Sequence, residues 1–293
     1  MNIVVAGPGL MGSQIGAELA IGGSAVTFLV NRRAEAERRV AAAFDLAATL
    51  DLWPAETVAA GRGHVEYAAA IDQLDPATEL FLESIVEESG PKVALLAEAA
   101  ARLPNAILAS NTSSISIGEL GDGCGAPDRT LGMHFWNPPL LMPLVEVISG
   151  PATDLSHVET VVELVRGVGK RPVVVDRDVP GFVWNRLQLA LLREAVWIVE
   201  NGVASPDVVD EIVRDGLARR WRYTGPFQTA ALGGPATFTR IADNLWPVLS
   251  TATGVAALAR WLESDPDALA AVKARRDACL LDDLKRDRTT DGD

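Results

Sequence analysis

His134 stands in the run His134-Phe135-Trp136-Asn137-Pro138, and Glu146 follows at the far end of an otherwise apolar stretch. A neutral imidazole held by a carboxylate is a proton acceptor of the right strength for chemistry near neutral pH. The chain has three histidines, and the other two, His64 and His157, lie in polar, loop-like surroundings. The alternative for His134 is a hydrogen-bonded core histidine beside two aromatics. The neighbouring motifs decide between the two.

Gly7-Pro8-Gly9-Leu10-Met11-Gly12 follows an apolar run directly and opens a helix. Glycines in that place allow a tight turn, close approach of a pyrophosphate and close helix–strand packing, while the helix N-terminus offers amides to phosphate. The next apolar run ends in Val30-Asn31-Arg32-Arg33. Asp or Glu there takes the ribose hydroxyls of NAD; here Asn31 can still bond a ribose, and Arg32 with Arg33 suits a 2′-phosphate. That favours NADP(H) over NAD(H), against the alternative of two solvated arginines opening the next helix. Ser110-Asn111-Thr112-Ser113-Ser114 follows another apolar run, at the carboxyl end of a strand, where α/β domains put their ligands. Asn185 lies early in a mainly apolar helix, from which it can bond its own backbone or reach a site.

The elements that must carry these residues alternate. Ile3–Ala6, Val26–Val30, Leu80–Ile85, Ala106–Ala109 and Leu131–His134 read as strands, with helices such as Gln14–Ile21 and Pro91–Arg102 between them. This predicts an α/β, Rossmann-type, mostly parallel sheet covered on both faces. Arg32 to Gly63, rich in Ala, reads as a helical excursion, and Val173–Val175 as the last strand. Beyond Pro180 the strands stop. Phe182–Asn201 reads as one amphipathic helix, and Ser205-Pro206 as an N-cap and first turn. The expected domains are 1–179, binding NAD(P), and 180–293, all-helical, for substrate and dimerisation, with a frayed end over 287–293.

Nearly half of the 293 residues are hydrophobic, as a folded globular chain requires. Lys and Arg number 26 against 39 Asp and Glu, a net charge of −13, which argues against a nucleic-acid partner. Cys124 and Cys279 form no metal or disulfide pattern. Met1–Ala6 reads as a strand and not a leader, and no apolar run has the length of a membrane span, so a cytoplasmic location is expected and no metal is implied.

In order, the chain shows Gly7-x-Gly9-x-Met11-Gly12, Glu87 with Lys92, Ser110-Asn-Thr-Ser113-Ser, His134-Phe-Trp-Asn137-Pro, Pro143-Leu-Val-Glu146 and Pro180-Gly-Phe-Val-Trp-Asn185-Arg186-Leu. The set resembles the L-3-hydroxyacyl-CoA dehydrogenase family from Met1 to about Gly234. The resemblance implies hydride transfer between a 3-hydroxyacyl thioester and a nicotinamide cofactor. In it His134 is the base, Glu146 orients the imidazole, and Ser113 and Asn185 hold the reacting oxygen. Glu87 and Lys92 line the cleft, and Asn137 contacts the cofactor. It also implies a homodimer through the helical domain.

Two departures bear on the substrate. The acyl-CoA members carry basic residues in the helical excursion, yet no Lys or Arg lies between Arg39 and Arg62. The second domain, with Asn185-Arg186-Leu187-Gln188, Glu194-Ala195-x-Trp197 and Gly216-Leu217 with Arg220, is similar to the L-gulonate 3-dehydrogenase and lambda crystallin branch, which oxidises a small free 3-hydroxy acid. Arg219, Arg220 and Arg222 read either as a site for a carboxylate or carrier phosphate or as a solvated face. Three readings follow: a 3-hydroxyacyl dehydrogenase acting on CoA or on an acyl carrier protein, a dehydrogenase of a small free 3-hydroxy acid, and a non-catalytic, crystallin-like cofactor binder.

Overall fold

The structure, a computed structural model, describes residues 1–261 and 266–290. The described residues contain one eight-stranded sheet. Its strands are β1 (Asn2–Ala6), β2 (Ala25–Leu29), β3 (Val65–Ala68), β4 (Leu80–Glu83), β5 (Ile107–Ser110), β6 (Thr130–Phe135), β7 (Leu144–Ser149) and β8 (Arg171–Val175). Their spatial order is β3-β2-β1-β4-β5-β6-β7-β8. Every pairing is parallel except β6 with β7. The mostly parallel sheet expected from the alternation is present.

The pleat splits the apolar residues between two cores. Ile3, Val5, Phe28, Leu82, Met133 and Val147 face one side, packing with α1 (Leu10–Ile21), α2 (Arg33–Leu50) and α3 (Ala55–Gly63). Val4, Ala6, Phe81, Leu108 and Ile148 face the other, against α4 (Ser89–Arg102) and α5 (Ile117–Cys124). Alternation along a strand sends neighbours to opposite faces, so both faces must be covered. The Ala-rich excursion is the pair α2 and α3. Its small buried residues Ala36, Ala43 and Ala47 let α2 lie close, with Val40 and Phe44 filling the seam.

Two strands escaped the sequence reading. Strand β3 is four residues long, and its Val-Glu-Tyr-Ala pattern is too short to stand out. Strand β7 carries Glu146 in its middle, a residue that breaks an apolar pattern unless something pairs with it.

After α6 (Leu155–Gly167) and β8 comes α7 (Trp184–Glu200), and contacts divide the chain within that helix. The first compact unit holds Met1–Asn185 and the chain from Ala271 onward; the second holds Arg186–Ala270. This differs from the expected division at 179/180. Residues 180–185 stay with the sheet because Phe182 is buried in its second core and the backbone beyond it bonds Glu146.

The second unit comprises the rest of α7, α8 (Pro206–Glu211), a π-helical stretch Ile212–Ala218, α9 (Arg219–Trp221), α10 (Pro226–Leu232), α11 (Pro235–Leu245), α12 (Ala256–Trp261) and the start of α13 (Pro266–Thr290). Ser205 caps α8 as expected, accepting from Val208 N. Helix α13 returns to the first unit, where Leu284 is buried and Leu280 and Leu281 pack on the core. The helix runs to Thr290, and residues 291–293, the end of the stretch expected to fray, lie outside the described ones. No described helix is long and apolar enough to cross a membrane.

Candidate active site

The antiparallel pairing of β6 and β7 sets His134 directly opposite Glu146. Cross-strand partners share a face, so the imidazole and the carboxylate meet by register alone. His134 Nδ1 lies 2.7 Å from Glu146 Oε2. The other carboxylate oxygen, Oε1, accepts from Val183 N at 3.1 Å and Trp184 N at 3.0 Å. Trp136 Nε1 adds a longer bond of 3.4 Å to Oε2. Burial opposes the charge on Glu146, but the bonds from His134, Trp184 N and Trp136 outweigh it and hold the carboxyl below the usual range. His134 is 4 % exposed and packs its ring 5.7 Å from that of Phe182.

Strand β5 delivers the serine loop beside this pair. Asn111 Oδ1 accepts from Phe135 N at 2.8 Å, tying the loop to the residue after His134. Glu87 Oε1 gathers the rest, accepting from Thr112 Oγ1 (2.7 Å), Ser113 N (2.8 Å), Ser114 N (2.9 Å) and Ser114 Oγ (2.9 Å). Burial works against the Glu87 charge, and these donors with Lys92 still draw its carboxyl below the ordinary range. Asn185 Nδ2 donates to Ser113 O at 2.8 Å, so these two expected residues are together.

Lys92 was expected to line the cleft. It is instead 1 % exposed, with Nζ 2.6 Å from Glu83 Oε1 and 3.4 Å from Glu87 Oε2. Glu83 also accepts from Ser110 Oγ at 2.6 Å, so this buried pair supports the loop from below. Sequence reasoning missed Glu83 and gave no role of their own to Asn111 and Phe182. A carboxylate closing the apolar run Leu80-Phe81-Leu82-Glu83 was the available signal for the first.

The loop after β1 has room for a phosphate where the motif requires it. Gly7 has φ +87°, and a Cβ there would sit 2.7 Å from Ser84 O; one on Gly12 would sit 2.3 Å from Gly7 O. Gly9 is different: the nearest atom to its Cβ position is Arg39 Nη1 at 3.9 Å. It is the N-cap of α1 and offers no side-chain cap, so that face is open to an anion. Leu10 is exposed and Met11 half-buried beside it. Asn31 and Arg32 are exposed past β2, and Asn137 is exposed in the loop between β6 and β7. This arrangement fits a dinucleotide, whose nicotinamide ring takes up a hydride.

Known proteins agree. The family model for the NAD binding domain of 3-hydroxyacyl-CoA dehydrogenase matches residues 2–179, and that for its C-terminal domain matches 181–264. A 5-formyl-3-hydroxy-2-methylpyridine 4-carboxylate 5-dehydrogenase of Mesorhizobium japonicum is 34% identical over 87% of this chain and 83% of its own. A 3-hydroxybutyryl-CoA dehydrogenase of Clostridioides difficile is 37% identical over 74% of this chain and 78% of its own. An L-carnitine dehydrogenase of Pseudomonas putida is 33% identical over 65% of this chain, the match spanning 60% of that relative. Among solved structures, 5-formyl-3-hydroxy-2-methylpyridine 4-carboxylic acid 5-dehydrogenase, an NAD+ dependent dismutase, superposes with a TM-score of 0.84 at 30% identity, covering 96% of both chains. The fold and site define a Rossmann-type oxidoreductase using a nicotinamide cofactor. The chain belongs to the 3-hydroxyacyl-CoA dehydrogenase family.

Proposed function

We propose that this protein is a dehydrogenase of a small carboxylate-bearing alcohol, or of an aldehyde in its hydrated gem-diol form, with His134 moving the proton. The carrying observation is the 2.7 Å contact of His134 Nδ1 with Glu146 Oε2. An ionised Glu146 keeps the proton on Nδ1, which leaves Nε2 as the basic nitrogen. As the substrate hydroxyl is oxidised, Nε2 takes its proton and Glu146 stabilises the imidazolium; in reduction the same nitrogen gives the proton back. An amide nitrogen carries two hydrogens, and Asn185 spends one on Ser113 O. The other, with the Ser113 hydroxyl, is available to hold the reacting oxygen. Glu87 and Lys92 act by shaping that loop.

The cofactor loop would hold the pyrophosphate against Gly9 and the amides that open α1, in the tight turn that Gly7 and Gly12 make possible, with Leu10 and Met11 flanking it. For the ribose we favour NAD(H) over the NADP(H) suggested by the arginines. Arg32 faces Glu35 at 3.5 Å and Arg33 faces Glu37 at 2.8 Å, so carboxylates of their own helix offset both charges, and Asn31 is left for the ribose hydroxyls. Titrating with NADH and NADPH checks this: tighter binding of NADPH would reverse it.

The small substrate is supported by two observations. In sequence, the likeness to the pyridine-carboxylate enzyme runs over 87% of the chain, whereas the 3-hydroxybutyryl-CoA enzyme matches 74%. The excursion lacks cations between Arg39 and Arg62, and those two are held by Glu35 and Asp45, which leaves little to attract a CoA nucleotide. A 3-hydroxyacyl thioester is the second reading, favoured by the 37% identity to that CoA enzyme. Nicotinamide turnover should be followed with pyridine carboxylate aldehydes, free 3-hydroxy acids including carnitine, acetoacetyl-CoA and its carrier-bound form. We expect activity with a small acid, and comparable kcat/KM for a thioester would favour the second reading. His134→Gln should lower turnover by about two orders of magnitude or more while the cofactor still binds; near-normal turnover would remove His134 from the mechanism.

A homodimer through the helical unit is also proposed. Phe227, Leu232, Tyr223 and Trp246 are each at least three-quarters exposed there, more large apolar surface than a monomer usually leaves in water. Light scattering at micromolar concentration should give twice the chain mass.

A further inference from the structure

The Glu146 carboxylate is held from a side the hydride-transfer chemistry does not explain. Gly181 has φ +79° and Phe182 φ +49°, two successive left-handed residues of which only the first is a glycine. A left-handed Phe costs strain unless its surroundings demand it. Here the Phe182 side chain is 1 % exposed, locked in the core beside the His134 ring. The turn it enforces brings the next two amides, Val183 N and Trp184 N, onto Glu146 Oε1. Trp184 then stacks on Trp136, ring centres 3.8 Å apart and planes at 23°. Trp136 lies two residues past His134 and gives its indole N–H to Oε2, the oxygen that meets the imidazole.

We propose that Trp136 and Trp184 are positioning residues, whose stack fastens the Gly181–Trp184 turn to the end of β6 and so fixes which oxygen of Glu146 faces His134. Each end of the stack supplies donors to one carboxylate oxygen, so the carboxylate cannot rotate without losing both sets. A stacked aromatic contact is well suited to this, since it holds the two segments together while adding no competing charge. The two tryptophans also act in opposite senses on the imidazole. The Trp136 N–H competes with His134 for Oε2, whereas the Trp184 ring keeps that oxygen in place.

This rests on the assigned role of the His134–Glu146 pair, so the readout is chosen not to need turnover. With three histidines in the chain, the His134 resonance of the whole protein labelled at histidine Cε1 is assignable by its loss in His134→Gln. Its titration midpoint is then measured in three proteins by NMR. Trp136→Phe keeps a ring for stacking and removes the competing N–H; its midpoint should lie above the parent's. Trp184→Ala loosens the turn; its midpoint should lie below the parent's, with faster hydrogen exchange at the amides of residues 183 and 184. Trp184→Phe should restore both readings. Unchanged midpoints in the first two variants, or a fall in both, would overturn the proposal. Such a result would leave the dehydrogenase reading intact, and an inactive enzyme with the expected midpoints would do the reverse.

Discussion

At the scale of single residues, Glu146 is the most consequential side chain after His134. Its carboxyl lies below the ordinary range, although burial alone would push it the other way. Folded protein therefore binds fewer protons at this group than unfolded protein, whose glutamate titrates near about 4.3. The stabilisation is complete above that unfolded value and disappears as pH falls through the lower folded one. Glu87 is shifted in the same direction and adds to the same acid limb. Melting temperatures between pH 3 and 7 should thus fall steeply on the acid side for the parent protein. In Glu146→Gln the fall should be shallower, and turnover should drop by about two orders of magnitude because the imidazolium loses its counter-charge. An unaltered acid limb would mean that Glu146 is not held as described. The pairing of His134 with Glu146 was legible from residue types, but its cause was not. Pro143 and Glu146 interrupt the apolar run Leu140–Ile148, which hid β7, and β7 is the strand whose register brings the two together.

At the scale of elements, the loop between β1 and α1 was the most legible part, because glycine spacing reports backbone geometry directly. The structure divides its glycines into two kinds. Gly7 and Gly12 are demanded by the fold, as any Cβ there meets backbone atoms at 2.7 and 2.3 Å. Gly9 is demanded by nothing in the chain, since its Cβ position is open to 3.9 Å. Gly9→Ala should therefore melt within about a degree of the parent and yet bind NADH at least tenfold more weakly, the added methyl filling space meant for the pyrophosphate. Gly12→Ala should lower the melting temperature as well, from the clash with Gly7 O. Calorimetry with a cofactor titration separates the two, and equal losses of stability would show that Gly9 too is a packing glycine. The serine loop was less legible. Its hydroxyls suggested a ligand site, whereas four of its bonds run to Glu87, twenty-odd residues earlier, and no local pattern announces so distant an acceptor.

At the scale of the whole molecule, the tail was the part the sequence misplaced. The expected helical domain, 180–293, took it in. Three leucines, however, give α13 a short apolar stripe at Leu280, Leu281 and Leu284, and two of the three basic residues beyond them, Lys285 and Arg288, reach residues of the first unit outside this helix. Lys285 Nζ lies 3.6 Å from Asp51 Oδ2. Arg288 bonds Leu52 O and lies 5.2 Å over the Trp53 ring. Its charge also reaches Glu18, a buried carboxylate that pairs with Lys170 at 3.0 Å and whose pKa burial raises despite both cations. Lys170 Nζ in turn bonds Pro139 O and Met142 O, in the loop that joins the strands of His134 and Glu146. The tail is thus part of the support of the sheet unit. Removing the chain from Ala271 takes those leucines away, uncovers the apolar surface they pack on, and withdraws one of two cations from Glu18. A fully buried leucine contributes about 1.5–3 kcal/mol, and a unit of this size shifts by about 2–4 °C per kcal/mol. The truncated protein should melt about 5 °C or more below the parent, with Arg288→Ala alone producing a smaller drop of the same sign. A truncated protein that melts with the parent would show α13 to be an appendage after all.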